Sequence, residues 1–221
     1  MSNKNSAIVL GATGLVGQEV VRLLLQDPRY DAITLLVRRP LAASMFDDPE
    51  NKLNPVVIDF DQFQDYQGYF SVNHVYCCLG TTLKQAGSKS AFRKVDFEYV
   101  HIAAQLARAQ RVDSFVWISS VGADATSSNF YLRVKGELEN AIMRMPQLDH
   151  ASAVRPSLLL GDRGDSRPME SVGQAIAPVL KPLMVGPLKK YKPVEAGEVA
   201  RKMVSLQRFV DNGGQPFGVS V

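Results

Sequence analysis

Two serines, a tyrosine and a lysine are the residues of this chain best placed to move a proton. Ser119-Ser120 close the apolar run Phe115-Val116-Trp117-Ile118, and Tyr131-Leu132-Arg133-Val134-Lys135 begins within 12 residues of them. Tyr-x-x-x-Lys spacing puts both side chains on one helix face, one turn apart. Free tyrosine ionises near pH ~10, too high for a base at neutral pH. A neighbouring ammonium favours the phenolate, and so does the positive end of a helix dipole when the tyrosine lies in the first turn. The reading is that Tyr131 exchanges a proton with substrate and Lys135 lowers its pKa while holding a ribose. Ser120 would orient the substrate oxygen. A core-facing tyrosine beside a solvated lysine has the same spacing, so the reading depends on what accompanies it.

What accompanies it is a glycine motif at the amino end. Gly11-Ala12-Thr13-Gly14-Leu15-Val16-Gly17 follows the apolar run Ala7-Ile8-Val9-Leu10 and opens an amphipathic segment. Strand, glycines, then helix is the order that brings a dinucleotide's phosphates onto a helix N-terminus. About 20 residues further on, NAD-binding versions of this arrangement carry an acid for the ribose 2′-hydroxyl. Here the second apolar run ends Val37-Arg38-Arg39. A carboxylate would repel a 2′-phosphate, whereas a guanidinium binds one with charge-assisted bonds. The pair therefore points to NADP(H), the alternative being two surface arginines at a loop entrance. Asp59 is open between an adenine contact and a turn cap. Gly80, after the fourth apolar run, is assigned to cofactor contact in place of a simple strand-ending turn.

The elements that must position these residues alternate. Strands are expected at Ala7–Leu10, Ile33–Val37, Val56–Ile58, Val75–Leu79, Phe115–Ile118 and Ala151–Val154. Helices are expected at Gln18–Gln26, about Ser90–Gln110, about Phe130–Met145 and Ala196–Phe209. Apolar strands separated by helices imply an α/β, doubly wound parallel sheet covered on both faces, with the ligand at the strands' carboxyl ends. The chain reads as a single domain over 1–221, with the proline-rich stretch 161–195 forming a small cap beside the sheet.

Composition bounds the rest. Length of 221 residues and 46% hydrophobic content suit one globular core. The net charge of +3 is scattered, its densest cluster being Lys189-Lys190-Tyr191-Lys192, so nucleic acid is not an expected partner. No apolar run approaches a membrane span, and the start does not read as a signal peptide. The two cysteines, Cys77 and Cys78, are neighbours in a strand and point to opposite faces. A disulfide between them is not expected, which fits a cytoplasmic location. His74, His101 and His150 are isolated and read as packing or surface residues.

Several longer stretches then carry a resemblance. They are Leu10-Gly11-Ala12-Thr13-Gly14, Val37-Arg38-Arg39, Cys77-Cys78-Leu79-Gly80-Thr81-Thr82 and Lys94-Val95-Asp96. They continue with Ser119–Asp124, Ser127-Ser128-Asn129-Phe130, Val134-Lys135-Gly136-Glu137, Arg155-Pro156, Asp162-Arg163 and Ser166-Arg167-Pro168. Over about residues 7–168 the chain resembles the Tat-interacting-protein family of atypical short-chain dehydrogenases. The resemblance implies an NADPH-binding Rossmann protein. It places Thr13, Gly14, Leu15 and Val16 on the pyrophosphate, Arg38 and Arg39 on the 2′-phosphate, and Leu79 and Gly80 along a ribose. Tyr131 and Lys135 would reach the nicotinamide ribose, and Leu159 and Arg167 would close over the nicotinamide end. In extended dehydrogenases the second serine of such a pair carries the catalytic role, which favours Ser120 over Ser119. The expected function is an oxidoreductase acting on a small carbonyl or alcohol. The alternatives are an NADPH-binding sensor without turnover and a sugar-nucleotide epimerase-like isomerase. The expected partner is a small-molecule substrate, with the chain a monomer or homodimer.

Overall fold

The computed structural model describes residues 4–157, 159–160 and 194–209. The expected cap therefore lies outside the described residues except for its last two, and so do Arg167 and the Lys189–Lys192 cluster.

Among the described residues six strands form one parallel sheet. They are β1 (Asn5–Leu10), β2 (Tyr30–Val37), β3 (Leu53–Val57), β4 (His74–Cys77), β5 (Ser114–Ile118) and β6 (Ala151–Val154). Their spatial order is β3-β2-β1-β4-β5-β6, with every pairing parallel. The chain thus winds outward from β1 in one direction, then returns to start β4 on its other side. That reversal leaves a crevice at the carboxyl ends of β1 and β4, where open α/β sheets bind ligands.

Alternation along the strands builds two cores. Ile8, Leu10, Val75, Cys77, Phe115 and Trp117 face one side; Ala7, Val9, Ile33, Leu35, Tyr76 and Val116 face the other. Helix α1 (Leu15–Gln26) covers the second side with Val16, Val20, Val21 and Leu24. Burying each large aliphatic side chain contributes about 1.5–3 kcal/mol. The last helix, α6 (Ala196–Ser205), packs beside α1 through Val199, Ala200 and Met203. The first side is covered by a kinked run of 3₁₀ turns (Phe60–Phe70), α4 (Tyr99–Ala109) and α5 (Phe130–Met143). Cys77 and Cys78 do face opposite cores. Burial pushes the Cys77 thiol up to about 12, which disfavours the thiolate at neutral pH.

The structure differs from the sequence reading in several places. The third strand is Leu53–Val57, earlier than Val56–Ile58, and contains Pro55. Among the described residues it pairs only with β2, at the edge of the sheet, where a missing N–H costs least. The fourth strand stops at Cys77, so Cys78 and Leu79 already belong to the turn beyond it. The long helix expected over Ser90–Gln110 does run unbroken, as α3 (Lys89–Arg93), a π-turn (Lys94–Glu98) and α4, but the π-turn inside it and the short α2 (Leu83–Ala86) before it were not anticipated. A small parallel pair, β7 (Leu159–Leu160) with β8 (Val194–Glu195), was not anticipated.

The last helix also ends before Phe209. Beyond Ser205 the chain turns to the amino ends of the central strands. Gln207 Nε2 donates to Val75 O at 3.2 Å, and the Arg208 N–H donates to Ser114 Oγ at 3.2 Å. His74 Nε2 donates to Arg208 O at 2.7 Å. The Phe209 ring meets Tyr30 and His74 edge-on, with the Arg29 guanidinium 3.8 Å from its centre.

Candidate functional site

The glycine motif forms the turn between β1 and α1, and its three glycines do different work. Gly11 has φ +77°, and a Cβ there would stand 2.6 Å from Cys78 O. A side chain at Gly17 would meet Gly11 O at 2.1 Å, so its absence lets α1 seat against the turn. Gly14 is the residue before the helix. It is extended at φ −80°, and its missing Cβ would clear Gly11 O by 3.3 Å. Among the described residues no side chain caps α1, and no acid stands in its first turn. Ala12 and Val16 point into the core, while Thr13 is exposed and Leu15 half-buried. The outer surface at Thr13–Val16 therefore includes, beside the Thr13 side chain, backbone at a helix N-terminus, where the first N–H groups have no intrahelical partner and can receive an anion. That surface fits a pyrophosphate.

Arg38 and Arg39 follow β2 directly and are exposed. Leu36 pairs with Leu10, so the arginines leave the sheet at the same end as the glycine turn. Asp59 takes the capping role: its Oδ1 accepts from the Asp61 N–H at 2.9 Å. After β4, Leu79 is half-buried against the core and Gly80 is exposed. The side chains of Leu159 and Arg167 lie outside what is described.

The reactive residues gather where β5 ends and α5 begins. Asn129 starts α5, its Oδ1 accepting from the N–H groups of Tyr131 at 2.9 Å and Leu132 at 3.3 Å. Tyr131 thus does sit in the first turn. Its ring packs 5.6 Å from that of Phe92. Gly136 lets the loop from β5 lie on α5, since a Cβ there would be 2.2 Å from Ala125 N. Ser119 Oγ is buried and, among the described residues, has no hydrogen-bond partner, whereas Ser120 Oγ donates to Val121 O at 3.3 Å. Among the described residues, no hydrogen bond joins the Tyr131 hydroxyl to Ser120 or to Lys135.

Lys135 is where the structure adds most. Its side chain is 3% exposed, and Nζ lies 2.7 Å from Asp96 Oδ1, itself on a side chain 1% exposed. Nζ also donates to Ile118 O at 3.4 Å. The second Asp96 oxygen accepts from the Thr81 N–H at 2.8 Å. Burial pushes the Asp96 carboxyl above the usual carboxylate range, while the Lys135 ammonium and the Thr81 N–H pull against it. In sequence Asp96 stood only as part of a matching stretch, with no role. A signal was there: Phe92, Asp96 and Val100 recur every four residues, and Phe92 and Val100 are core. An acid on the apolar stripe of a helix must find a buried partner.

A doubly wound sheet with a glycine turn at the β1/β4 crevice defines the class: a Rossmann protein of the NAD(P)-binding, short-chain dehydrogenase type. A family model described as NAD(P)H-binding matches residues 11–175. The chain is 39% identical over 171 residues to Protein HTATIP2 of Rattus norvegicus, covering 77% of this chain and 69% of that one. It is 34% identical over 218 residues to "Protein FMP52-1, mitochondrial" of Scheffersomyces stipitis, covering 96% and 92%. The chain belongs to this NAD(P)H-binding family and, within it, to the HTATIP2-like atypical short-chain dehydrogenases. Solved structures share the fold at low identity. MoeE5, in complex with UDP-glucose and NAD, superposes with TM-score 0.67 at 14% identity, over 91% of this chain and 71% of that one. The Bordetella bronchiseptica enzyme WbmH, in complex with NAD+, gives 0.67 at 15%, over 92% and 72%. Among the described residues no helix is long and apolar enough to cross a membrane. The mitochondrial names of the fungal relatives do not match the cytoplasmic expectation.

Proposed function

We propose that this chain is an NADPH-dependent oxidoreductase acting on a small carbonyl or alcohol. The observation that carries the reading is Lys135, buried at the sheet's carboxyl end, tied to the end of β5 and the turn after β4, one helical turn from Tyr131. When bound, the nicotinamide supplies or accepts the hydride. Tyr131 exchanges the proton with the substrate oxygen, and Ser120 turns its hydroxyl from Val121 O to hold that oxygen. Lys135 holds the nicotinamide ribose. The backbone at Thr13–Val16 takes the pyrophosphate, Leu79 and Gly80 border a ribose, and Leu159 and Arg167 close the nicotinamide end. Exposed Arg38 and Arg39, with no acid in their place, support NADPH over NADH.

The test is a turnover screen with NADPH and a panel of aldehydes, ketones and quinones. Tyr131→Phe is expected to lose roughly 100-fold or more in turnover while still binding NADPH. Arg38→Ala with Arg39→Ala is expected to weaken NADPH by about tenfold or more and NADH little. Equal loss of both cofactors removes the 2′-phosphate assignment.

A second reading, a cofactor-binding regulator, draws on the absence of a hydrogen bond from the Tyr131 hydroxyl to Ser120 or Lys135. NADPH binding with no turnover of any substrate favours it. Turnover without net NADPH consumption favours an isomerase. The proposal takes the chain to act as a monomer or homodimer on a small molecule, without nucleic acid or membrane. For location we propose the cytoplasm, consistent with unpaired Cys77 and Cys78. The names of the fungal relatives favour mitochondria, and fractionation of the source cells separates the two.

A further inference from the structure

Asp96 stands where the helix pattern calls for hydrocarbon. Phe92 and Val100, four residues to either side, are fully buried. The residue lies in the π-turn Lys94–Glu98, whose wider turn shifts which side chains meet the sheet. Its two oxygens reach different elements: Oδ1 to Lys135 Nζ on α5, Oδ2 to the Thr81 N–H after β4. Through Lys135 and Ile118 O it also reaches the end of β5. Of these, the proposed function assigns α5 to the nicotinamide ribose through Lys135, the end of β5 to the substrate oxygen through Ser120, and the turn after β4 to a ribose through Leu79 and Gly80. The carboxylate also balances the Lys135 ammonium, which is buried with it.

A buried ion pair can be no more than a staple, and such pairs are often replaceable by hydrocarbon. Two features separate this pair from a staple. It sits at the ligand-binding end of the sheet, not in the middle of a core. Its lysine is also the residue that the proposed function puts against the nicotinamide ribose.

We infer that Asp96 is a positioning residue for the nicotinamide half of the dinucleotide, acting through Lys135, and that its charge sets the balance between oxidised and reduced cofactor. The inference rests on the cofactor reading above. An oxidised nicotinamide ring carries a positive charge that the reduced ring lacks. An unbalanced ammonium beside it repels the oxidised form alone, and in a partly dry site that repulsion is substantial. With Asp96 in place the pair is neutral and the repulsion is cancelled. Asp96→Asn keeps the size and an acceptor for the Thr81 N–H but leaves the ammonium unbalanced.

The experiment measures dissociation constants for NADPH, NADP+ and 2′,5′-ADP, which has the adenosine half and no nicotinamide. In Asp96→Asn the ratio of the NADP+ to the NADPH constant is expected to rise by roughly tenfold, with 2′,5′-ADP unchanged within about twofold. Removing both charges, in Asp96→Asn with Lys135→Gln, returns the ratio toward that of the unaltered protein. If Asp96→Asn does not fold alone, Lys135→Gln compared with the double variant at pH 8 carries the same comparison. NADP+ must then weaken against NADPH when the carboxylate charge is removed. A constant ratio, or equal weakening of all three ligands, overturns the inference and leaves Asp96 a staple. If the unaltered protein binds neither NADPH nor 2′,5′-ADP, the cofactor reading fails and takes the inference with it.

Discussion

Gly17 and Gly14 belong to one motif, yet a methyl group at each has a different cost. At Gly17 it would stand 2.1 Å from Gly11 O, a backbone atom that moves only if the β1–α1 turn moves. At Gly14 it would stand 3.3 Å from the same oxygen, a gap that a few tenths of an ångström restores. Gly17→Ala is therefore expected to lose about 2–4 kcal/mol of stability and to lose nucleotide binding. Gly14→Ala should lose less than about 1 kcal/mol. Urea unfolding followed by NADPH titration checks both. The motif was readable from spacing alone, because a dinucleotide turn demands glycine at fixed intervals. The division of labour within it was not, since it depends on which backbone atoms lie opposite. Asp96 shows the same limit: it is 39 residues from Lys135 in sequence, and no local pattern joins them.

Among the elements, α5 is the one that presents Tyr131 and Lys135, and its start is set by Asn129. One side-chain oxygen there satisfies two N–H groups that the helix cannot satisfy itself. Asn129→Ala is expected to cost about 1 kcal/mol and to loosen the first turn, where Tyr131 lies. A fall in thermal midpoint together with reduced turnover would show it, whereas a stability loss without any effect on turnover would separate the cap from the site. The strands and helices that reach both cores were legible as apolar runs and 3.6-residue stripes. Elements depending on exceptions were not. The π-turn hides inside a helical pattern whose period it breaks by one residue. The Phe60–Phe70 segment carries Phe60, Phe63 and Phe70 into the core without a full helix, so it lacks a helical stripe.

Across the whole molecule, the sheet has a working end and a bolted end. At the bolted end His74 is buried, donating through Nε2 to Arg208 O and accepting through Nδ1 from Tyr30, whose oxygen also meets the Tyr76 hydroxyl at 2.9 Å. Burial holds the imidazole below its ordinary value of 6.5; the Arg208 carbonyl and the carboxylates Asp113 and Asp27 oppose that shift, and Arg29 adds to it. The unfolded chain therefore takes up this proton at higher pH than the folded one. The stability concerned is fully present above pH ~6.5 and is lost as pH falls from there through the folded value. The thermal midpoint is expected to drop between pH 7.5 and 5.5, and His74→Gln should flatten that slope. An unchanged slope in the variant would move the effect to other groups.

What the sequence determined by itself was the class of fold and the crevice at the carboxyl ends of β1 and β4. Strand and helix periods are local, and so are the glycine turn and the Arg38-Arg39 pair that follows β2. Tertiary structure decided how Lys135 is held, that Ser119 is sealed in while Ser120 is bonded to Val121, and that the chain after α6 returns to fasten the far end of the sheet. Each of those depends on contacts between residues distant in sequence or on local packing against them. Such contacts are selected by the packing of two cores at once, and the order of residues along one chain does not display that.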